Sequence, residues 1–260
     1  MSLAIDYCKE LASELRQMAV YLPGVEVSPG DIINFKEGNI FGAKPIGPFQ
    51  KVANLTDLNI NLETEEDQNP YSYVYASKGS VSVSFNAGSS VSSGSDGKLM
   101  VNFSKEGATY LSAVDCIQRR FKDISDLGEQ LAHHKMEIDW KKCFIVIAVT
   151  IAQRALIMQS NSNSASLELE GQVRGLQPLP GGTILNNAAI NANINLKINS
   201  YKEASFIKDW SNEVPVFFQL VRYKKVLLRG YDIKSARREL MTTNEDPFVL
   251  EVVDPLEINY

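Results

Sequence analysis

The chain has 260 residues, a formal net charge of −5 and a pI near 5.2. Its 44% hydrophobic and 22% charged residues are ordinary for a globular protein and exclude a disordered chain, a collagen and a coiled coil. The acidic balance argues against a nucleic-acid partner, and the three widely spaced cysteines (Cys8, Cys116 and Cys143) indicate a reducing compartment rather than a disulfide framework.

The first predicted element is an amphipathic helix, in which apolar residues recur at steps of three and four from Ile5 to Met18. This segment lacks the apolar core and the cleavage site of a signal peptide, so we expect a protein that is made in soluble form in the cytoplasm. The helix ends before the turn signal at residues 21–24. Residues 23–48 hold four of the ten prolines, which predicts short strands and turns.

A first β-hairpin is predicted after a polar, acidic loop at residues 63–69. Apolar and polar residues alternate over residues 79–87 and again over residues 99–104. A turn rich in Ser and Gly, residues 88–98, separates the two runs, as in a hairpin with a long loop. The apolar side of this hairpin consists of Val81, Val83, Phe85, Val101 and Phe103.

Helical spacing returns over residues 107–138 and predicts one or two helices, with Asp126 and Glu129 placed to cap the second. Residues 144–151 form an apolar, β-branched run that predicts a strand buried on both faces. The run is far shorter than the ~20 residues of a membrane-spanning helix. The periodic apolar residues of the predicted helices are Tyr110, Leu111, Val114, Ile117, Phe121, Ile124, Leu127 and Leu131.

A second hairpin is predicted from alternating runs at residues 165–174 and 190–199, which flank a Pro-Gly turn at residues 178–182. Both hairpins match membrane-spanning strands, which need about 9–11 residues with one apolar and one polar side. Exterior strands of soluble sheets alternate in the same way, so both interpretations stay open. The apolar side of the second hairpin consists of Leu167, Leu169, Ile190, Ile194, Leu196 and Ile198.

No catalytic signature occurs in the sequence, which has neither a nucleophile elbow nor a phosphate-binding loop. The only two histidines, His133 and His134, are adjacent and would point about 100° apart on a helix, so they do not share a metal ion. We therefore expect a protein that is not an enzyme and has no metal or cofactor. A hydrolase that uses carboxylates remains an alternative, but no spacing singles out a pair.

The C-terminal tail, residues 239–260, differs in kind from the body, residues 1–238. It holds six acidic residues, no Lys or Arg, and many apolar residues, so it should dock on the body and cover apolar surface. It is either a last strand of the sheet or a removable inhibitor, whose loss would favour contact with an anionic membrane. The apolar residues of the tail that would dock are Phe248, Leu250, Val252, Leu256 and Ile258.

Two positions carry candidate modifications. Cys8 on the first helix is either a buried core residue or a lipidation site, because cysteines near a terminus or on an amphipathic helix are common targets of palmitoylation. The linker before the tail is basic and exposed by composition, and basic or large residues there suit many proteases. Candidate cleavage positions are Arg237, Arg238 and Leu240.

Several stretches follow one another in a characteristic order. They are Cys8 in a helix, Tyr21-Leu22-Pro23, Pro29-Gly30-Asp31-Ile32, Lys78-Gly79-Ser80-Val81-Ser82-Val83, the apolar strand at residues 144–151 with Ala155-Leu156-Ile157-Met158, then Phe206, and Val214-Pro215-Val216-Phe217-Phe218-Gln219-Leu220. This order resembles that of the gasdermin pore-forming domain and, by the short length, of bacterial gasdermins. The resemblance covers most of residues 5–223 and rests on order and pattern. It departs from the family at Val20, where a glycine is frequent, and in having no large C-terminal repressor domain.

The resemblance implies an α+β fold with a twisted, mostly antiparallel central sheet and flanking helices, as in the gasdermin N-terminal domain. It implies that the intact protein is a cytoplasmic monomer, autoinhibited by its tail until an activating protease removes it. The two hairpins, about residues 79–103 and 165–198, would then insert into membrane lipids as a transmembrane β-barrel, a large homo-oligomer that permeabilises the inner cell membrane. Cell death in antiphage defence is the implied outcome, and a covalent palmitoyl group on Cys8 is the implied anchor.

A second hypothesis is a soluble, non-enzymatic α+β module that binds a partner protein at a sheet edge. It predicts that loss of the tail destabilises the protein without any selectivity for membranes.

Overall fold

The structure is a computed structural model. It describes residues 3–21, 26–35, 44–46, 48–67, 71–87, 96–132, 138–140, 142–172, 195–210, 213–225 and 248–258. Within these residues every strand pair is antiparallel, and two α-helices accompany the sheets. The predicted α+β class with a mostly antiparallel sheet is therefore confirmed.

The elements follow in chain order. They are α1 (Leu3–Leu15), β1 (Met18–Ala19), β2 (Asp31–Phe35), β3 (Lys44–Ile46), β4 (Phe49–Asn54), a 3₁₀ helix (Leu55–Leu58), β5 (Thr64–Glu66), β6 (Tyr71–Ala76), β7 (Val81–Ala87), β8 (Asp96–Phe103), β9 (Thr109–Phe121), α2 (Leu127–Ala132), β10 (Cys143–Ser160), β11 (Ser166–Gln172), β12 (Asn195–Lys202), β13 (Ala204–Trp210), β14 (Val214–Lys225), β15 (Phe248–Val252) and a second 3₁₀ helix (Pro255–Glu257).

The main sheet has 11 strands and is organised around β10, which is 18 residues long. Strands β14 and β13 pair with one side of β10 in succession, and β2 and β9 pair with the other side. Because β10 has neighbours on both sides, its apolar, β-branched sequence suits a position at the centre of a sheet. Its central location makes it the scaffold on which the rest of the fold is assembled.

A second sheet of four strands, in the order β12-β11-β8-β7, contains the two predicted hairpins. Strand β7 pairs with β8, and β11 pairs with β12, as the alternation of each hairpin predicts. Strands β8 and β11 pair with each other, so the hairpins lie side by side in one sheet.

Helix α1 covers part of the main sheet. Its inward face places Tyr7, Cys8 and Leu11 against Phe217 of β14, and each of these side chains is at most 1% exposed. Burying side chains of this size contributes about 1.5–3 kcal/mol each. The helix is therefore held by tertiary packing, which a segment of 13 residues requires.

A buried carboxylate anchors the turn before β2. Asp31 is fully buried and accepts hydrogen bonds from the Asn54 side chain at 2.7 Å and from the backbone N–H of Ser28 at 3.0 Å, while the Lys51 ammonium lies 2.6 Å away. A buried charge needs such partners. Asp31 is thus a structural residue that joins β2 to β4.

The helix predicted for residues 107–138 is wrong over most of its length. Residues 109–121 form strand β9, and the only α-helix described within the predicted span is α2. The spacing of β9 resembles a helix because different elements pack on its two faces.

The first half of strand β9, residues 109–114, is covered on both faces. Leu111 and Ala113 pack with helix α1, whereas Tyr110 and Val114 pack with the apolar face of the four-stranded sheet. When both faces are apolar, the alternation that identifies a strand is lost. Asp115 has a positive φ of 51° at a bulge, where the register of β9 against β6 shifts, so that apolar residues recur at irregular steps that mimic a helix.

Candidate functional site

The four-stranded sheet presents two different faces. On one face, Val101 is fully buried, Leu167 is 1% exposed and Phe103 is 3% exposed. On the other face, Ser82 and Asn102 are exposed to solvent. The register that pairs Val101 with Leu167 places apolar residues of neighbouring hairpins side by side, so the apolar face is continuous from one hairpin to the other.

The main sheet covers this apolar face. Val101, Phe103 and Leu167 belong to one cluster with Tyr110 of β9 and Met158 of β10. Val81 and Val83 pack against the same cluster and are half-buried. The structure thus brings the described candidates of the first hairpin together with Leu167 of the second hairpin on one covered face.

The remaining predicted membrane-facing residues are less fully described. The backbones of four lie in the strands β7, β11 and β12, with side chains outside the described part of the structure, and two lie outside the described residues altogether. The former are Phe85, Leu169, Leu196 and Ile198, and the latter are Ile190 and Ile194.

The tail residues 248–258 dock on the edge of the main sheet. Strand β15 pairs with β14, and the backbone N–H of Val253 continues the contact by donating to the Leu220 carbonyl at 2.9 Å. Val253 and Ile258 are buried in one cluster with Val20 and Phe218. The tail therefore completes the sheet and at the same time covers apolar surface.

Only part of the predicted docking set faces the body. Ile258 is buried and Leu250 is half-buried, but Val252 is 65% exposed and Leu256 is 50% exposed, and the side chain of Phe248 lies outside the described residues. Val253, an apolar tail residue outside the predicted docking set, is 4% exposed. The backbone pairing decides which residues face inward, and the composition of the tail does not reveal that pairing.

Two arginines of the body hold acidic residues of the tail. Arg222 on β14 donates from Nε to Glu251 Oε2 at 2.5 Å and from Nη2 to Glu257 Oε2 at 3.1 Å. The hydrogen bond to Glu251 is the main cause that raises the pKa of Arg222. Arg16, after α1, lies 3.5 Å from Asp254. The sequence predicts an acidic tail on a body, but no motif marks these two partners.

Cys8 is fully buried in the cluster between α1 and β14. Its thiol donates to the Ala19 carbonyl at 3.6 Å, and burial raises its pKa to about 12. A thiol in this state is protonated and inaccessible to reagents. Acylation of Cys8 stays a prediction, and it requires a state in which α1 has moved away from the sheet.

Other predicted positions lie outside the described residues: the candidate cleavage positions Arg237, Arg238 and Leu240, and the histidines His133 and His134. The part of the chain that the structure describes contains no group of three or more His, Cys, Asp or Glu residues placed to hold a metal ion. Within that same part, neither α1 nor α2 combines the length and the apolar character that a membrane crossing requires.

Comparisons with known proteins add little to this geometry. No protein-family model matches the chain, and no curated protein matches its sequence. Among solved structures, the cryo-EM structure of the gasdermin A3 membrane pore matches with 12% sequence identity, covering 96% of this chain and 100% of that chain, at a TM-score of 0.28. A match this loose transfers no property to the present chain, and membership of the gasdermin family stays a prediction.

Proposed function

We propose that this protein is a pore former of the gasdermin type, inhibited by its C-terminal tail and activated by a protease. Removal of residues 239–260 would free the two hairpins to lengthen and to insert, in many copies, as the strands of an oligomeric transmembrane β-barrel. The protein would act without a catalytic centre, a metal or a cofactor. Its partners would be the activating protease, membrane lipids and further copies of itself.

One observation carries this proposal: the two hairpins form one sheet with a single continuous apolar face. Val101, Phe103 and Leu167 are buried on that face, while Ser82 and Asn102 on the opposite face contact water. A strand in a membrane barrel needs the same division, with lipid on one side and water on the other. Insertion would replace the protein cover of the apolar face by lipid and leave the polar face hydrated.

The tail supports regulation by removal. It contributes six acidic residues, so the body alone has 25 acidic and 26 basic residues and loses the net negative charge of the intact chain. Removal would also leave Arg222 and Arg16 without the tail carboxylates that they contact. Both changes favour approach to an anionic membrane surface.

The place and outcome of the activity are part of the same proposal. The intact protein would reside in the cytoplasm and the cut protein in the inner cell membrane, where permeabilisation would kill the cell as a defence against phage. Palmitoylation of Cys8 would add an anchor after α1 has separated from the sheet. One acyl chain gives only reversible membrane binding, so the inserted strands would supply most of the attachment.

Dye release from liposomes of anionic bacterial lipids tests the proposal. A protease site is placed between Arg238 and Thr242, and leakage is recorded before and after the cut. We expect leakage only after the cut. Silence from a protein whose tail has verifiably dissociated would overturn the proposal and favour the soluble interaction module.

A matched pair of variants tests the assignment of faces. Val83→Lys places a charge on the proposed lipid side, at a cost of about 2–4 kcal/mol for each copy near the middle of the bilayer, and we expect it to abolish leakage. Ser84→Lys places the same charge on the neighbouring, exposed residue and should leave leakage close to wild type. Equal effects of the two substitutions would contradict the assigned faces.

A further inference from the structure

Four chain segments join the four-stranded sheet to the main sheet. They are residues 77–80, residues 104–108, residues 161–165 and the single residue Glu203. Each segment lies between a strand of the main sheet and a strand of the four-stranded sheet that follow one another in the chain. The four pairs are β6 and β7, β8 and β9, β10 and β11, and β12 and β13. Without the segment, each pair would be one longer strand. We call these four segments the crossings.

The two inner crossings are equal in length. Thr109 pairs with Gln159 in the main sheet, and Asn102 pairs with Ser166 in the four-stranded sheet. Residues 103–108 lie between these pairs on one strand and residues 160–165 on the other, six in each case. Strand β8 could therefore join β9, and β10 could join β11, without any change of pairing partner in either sheet.

The outer crossing at Glu203 is unequal. Ser160 pairs with Ala204 and Ser166 with Lys202, so the five residues 161–165 face Glu203 alone. Glu203 absorbs this mismatch with a positive φ of 51°, in the left-handed region that a side chain disfavours. In an extended conformation at this position, β12 and β13 would form one strand, whose β12 part would slip by four residues against β11, so that Ser166 faces Ile198 in place of Lys202.

The backbone and the side chain of Glu203 both bind the loop that they face. Its carbonyl accepts from the Asn161 N–H at 3.0 Å. Its Oε2 accepts from Ser162 Oγ at 2.5 Å and from Ser164 Oγ at 2.7 Å, and these hydrogen bonds lower the pKa of the carboxyl group. The carboxylate therefore carries its charge at neutral pH and compensates for an unfavourable backbone conformation.

We propose that Glu203 is a latch that keeps the second hairpin folded onto the main sheet, an inference that rests on the proposed function. Release of its carboxylate from Ser162 and Ser164 would let β12 and β13 extend as one strand over residues 195–210. At ~3.3 Å per residue this strand would be about 50 Å long. The hydrocarbon core of a bilayer is about 30 Å thick. The extended strand is therefore long enough to cross the core while its C-terminal end stays paired with β10 in the main sheet.

Leakage rates of the cut protein test the latch. The double variant Ser162→Ala/Ser164→Ala removes the donors and keeps Glu203, whereas Glu203→Gly removes the carboxylate and keeps the left-handed backbone accessible. We expect the double serine variant to accelerate leakage about fivefold to tenfold, as loss of hydrogen bonds to a charged group implies. Glu203→Gly should accelerate it less, because glycine also removes the cost of the left-handed backbone. Glu203→Val also favours the extended backbone and should be the fastest. Glu213→Ala is the control, since this exposed carboxylate accepts one hydrogen bond, from Gln153, and spans no crossing.

Hydrogen exchange of the intact full chain provides a readout that does not depend on a pore. In Ser162→Ala/Ser164→Ala, which keeps Glu203 and its backbone conformation, the amide of Asn161 should exchange faster than in wild type, while the amides of residues 148–152 in β10 stay unchanged. If the cut wild-type protein leaks and the three latch variants leak at its rate, the latch is overturned and the proposed function stands. If the cut wild-type protein does not leak, the proposed function fails and the latch fails with it.

Discussion

The two sheets hide apolar surface in different ways. In the main sheet, Val146 and Val149 of β10 are fully buried and Phe217 of β14 is covered by α1. The four-stranded sheet buries one face only, with Val101 inside and Ser82 in water. Because its second face is already hydrated, this sheet could enter a membrane by replacing the protein that covers its apolar face with lipid. In the main sheet, residues 143–152 of β10 are all buried or half-buried, so this described part has no hydrated face and is suited to remain as it is.

The energetic cost of separation follows the same division. Each of Val101, Phe103 and Leu167 loses about 1.5–3 kcal/mol of burial when the four-stranded sheet leaves its cover, and lipid restores that contribution. Exposure of the core beneath α1 has no such compensation. The comparison therefore predicts a rigid main sheet and a detachable hairpin sheet.

The largest expected effect concerns the core of the main sheet. Phe217 is fully buried and its ring lies edge-on to Tyr73, with centroids 4.9 Å apart. Phe217→Ala should lower the free energy of unfolding by about 3–5 kcal/mol in urea titrations, because it leaves a cavity. Tyr201→Ala in the four-stranded sheet is the control, since that side chain is 63% exposed and its loss should change stability by about 0.5 kcal/mol or less. Similar losses in both variants would remove the distinction between the sheets.

Alkaline pH should weaken the same core. Burial raises the pKa of Cys8 to about 12 from an ordinary value near 9. Between these pH values the unfolded thiol releases its proton and the folded thiol keeps it, so stability falls as pH rises through this window, by up to about 1.4 kcal/mol per pH unit. Urea titrations across the window should show a shallower decline for Cys8→Ala than for wild type. An identical decline would mean that Cys8 is not sealed in the folded state.

Hydrogen exchange compares the two sheets directly. Residues 98–102 of β8 and residues 148–152 of β10 both lie in strands that have partners on both sides, so a difference between them reports opening of a sheet and not exposure of an edge. We expect the amides of β8 to exchange at least about tenfold faster in the intact protein. Equal protection would show that the two sheets open as one unit.

The smallest expected effect concerns the tail. Arg222→Ala removes contacts to Glu251 and Glu257, and the dissociation of the cut tail should accelerate about fivefold, since partly exposed ion pairs contribute about 1 kcal/mol or less. Arg120→Ala is the matched control, because Arg120 pairs with Glu65 on a different part of the main sheet. Tail dissociation at one rate in both variants would assign the hold on the tail to its backbone pairing alone.

The hairpins could be predicted from sequence because one face of their sheet is exposed to solvent and the other is buried. Alternation of Ser and Val over residues 80–84 records the contrast between solvent and core. The first half of strand β9 has no such contrast, because Tyr110 and Leu111 are both buried, in different clusters, and its spacing therefore predicts a helix. The sequence pattern identifies a strand only where the environment differs between its two faces.

The residues that control the proposed transition carry no sequence signal. Arg222 is one of many basic residues, and its importance depends on a register that aligns it with Glu251, 29 positions away. Glu203 is one of many acidic residues, and its importance depends on a left-handed backbone that faces a loop 39–41 positions earlier. Tertiary pairing creates both roles, and composition or periodicity contains no information about it.

Two short segments that are far apart in sequence pair with the outer edge of β14. Residues 18–20 cover it beside Val216 to Phe218, and residues 248–253 cover it from Leu220 to Lys225. An uncovered strand edge is a template on which a second molecule adds its own strand, which is how many β-proteins aggregate. By covering the edge of β14 from Leu220 to Lys225, the tail would also protect a chain rich in amphipathic strands against edge-to-edge aggregation.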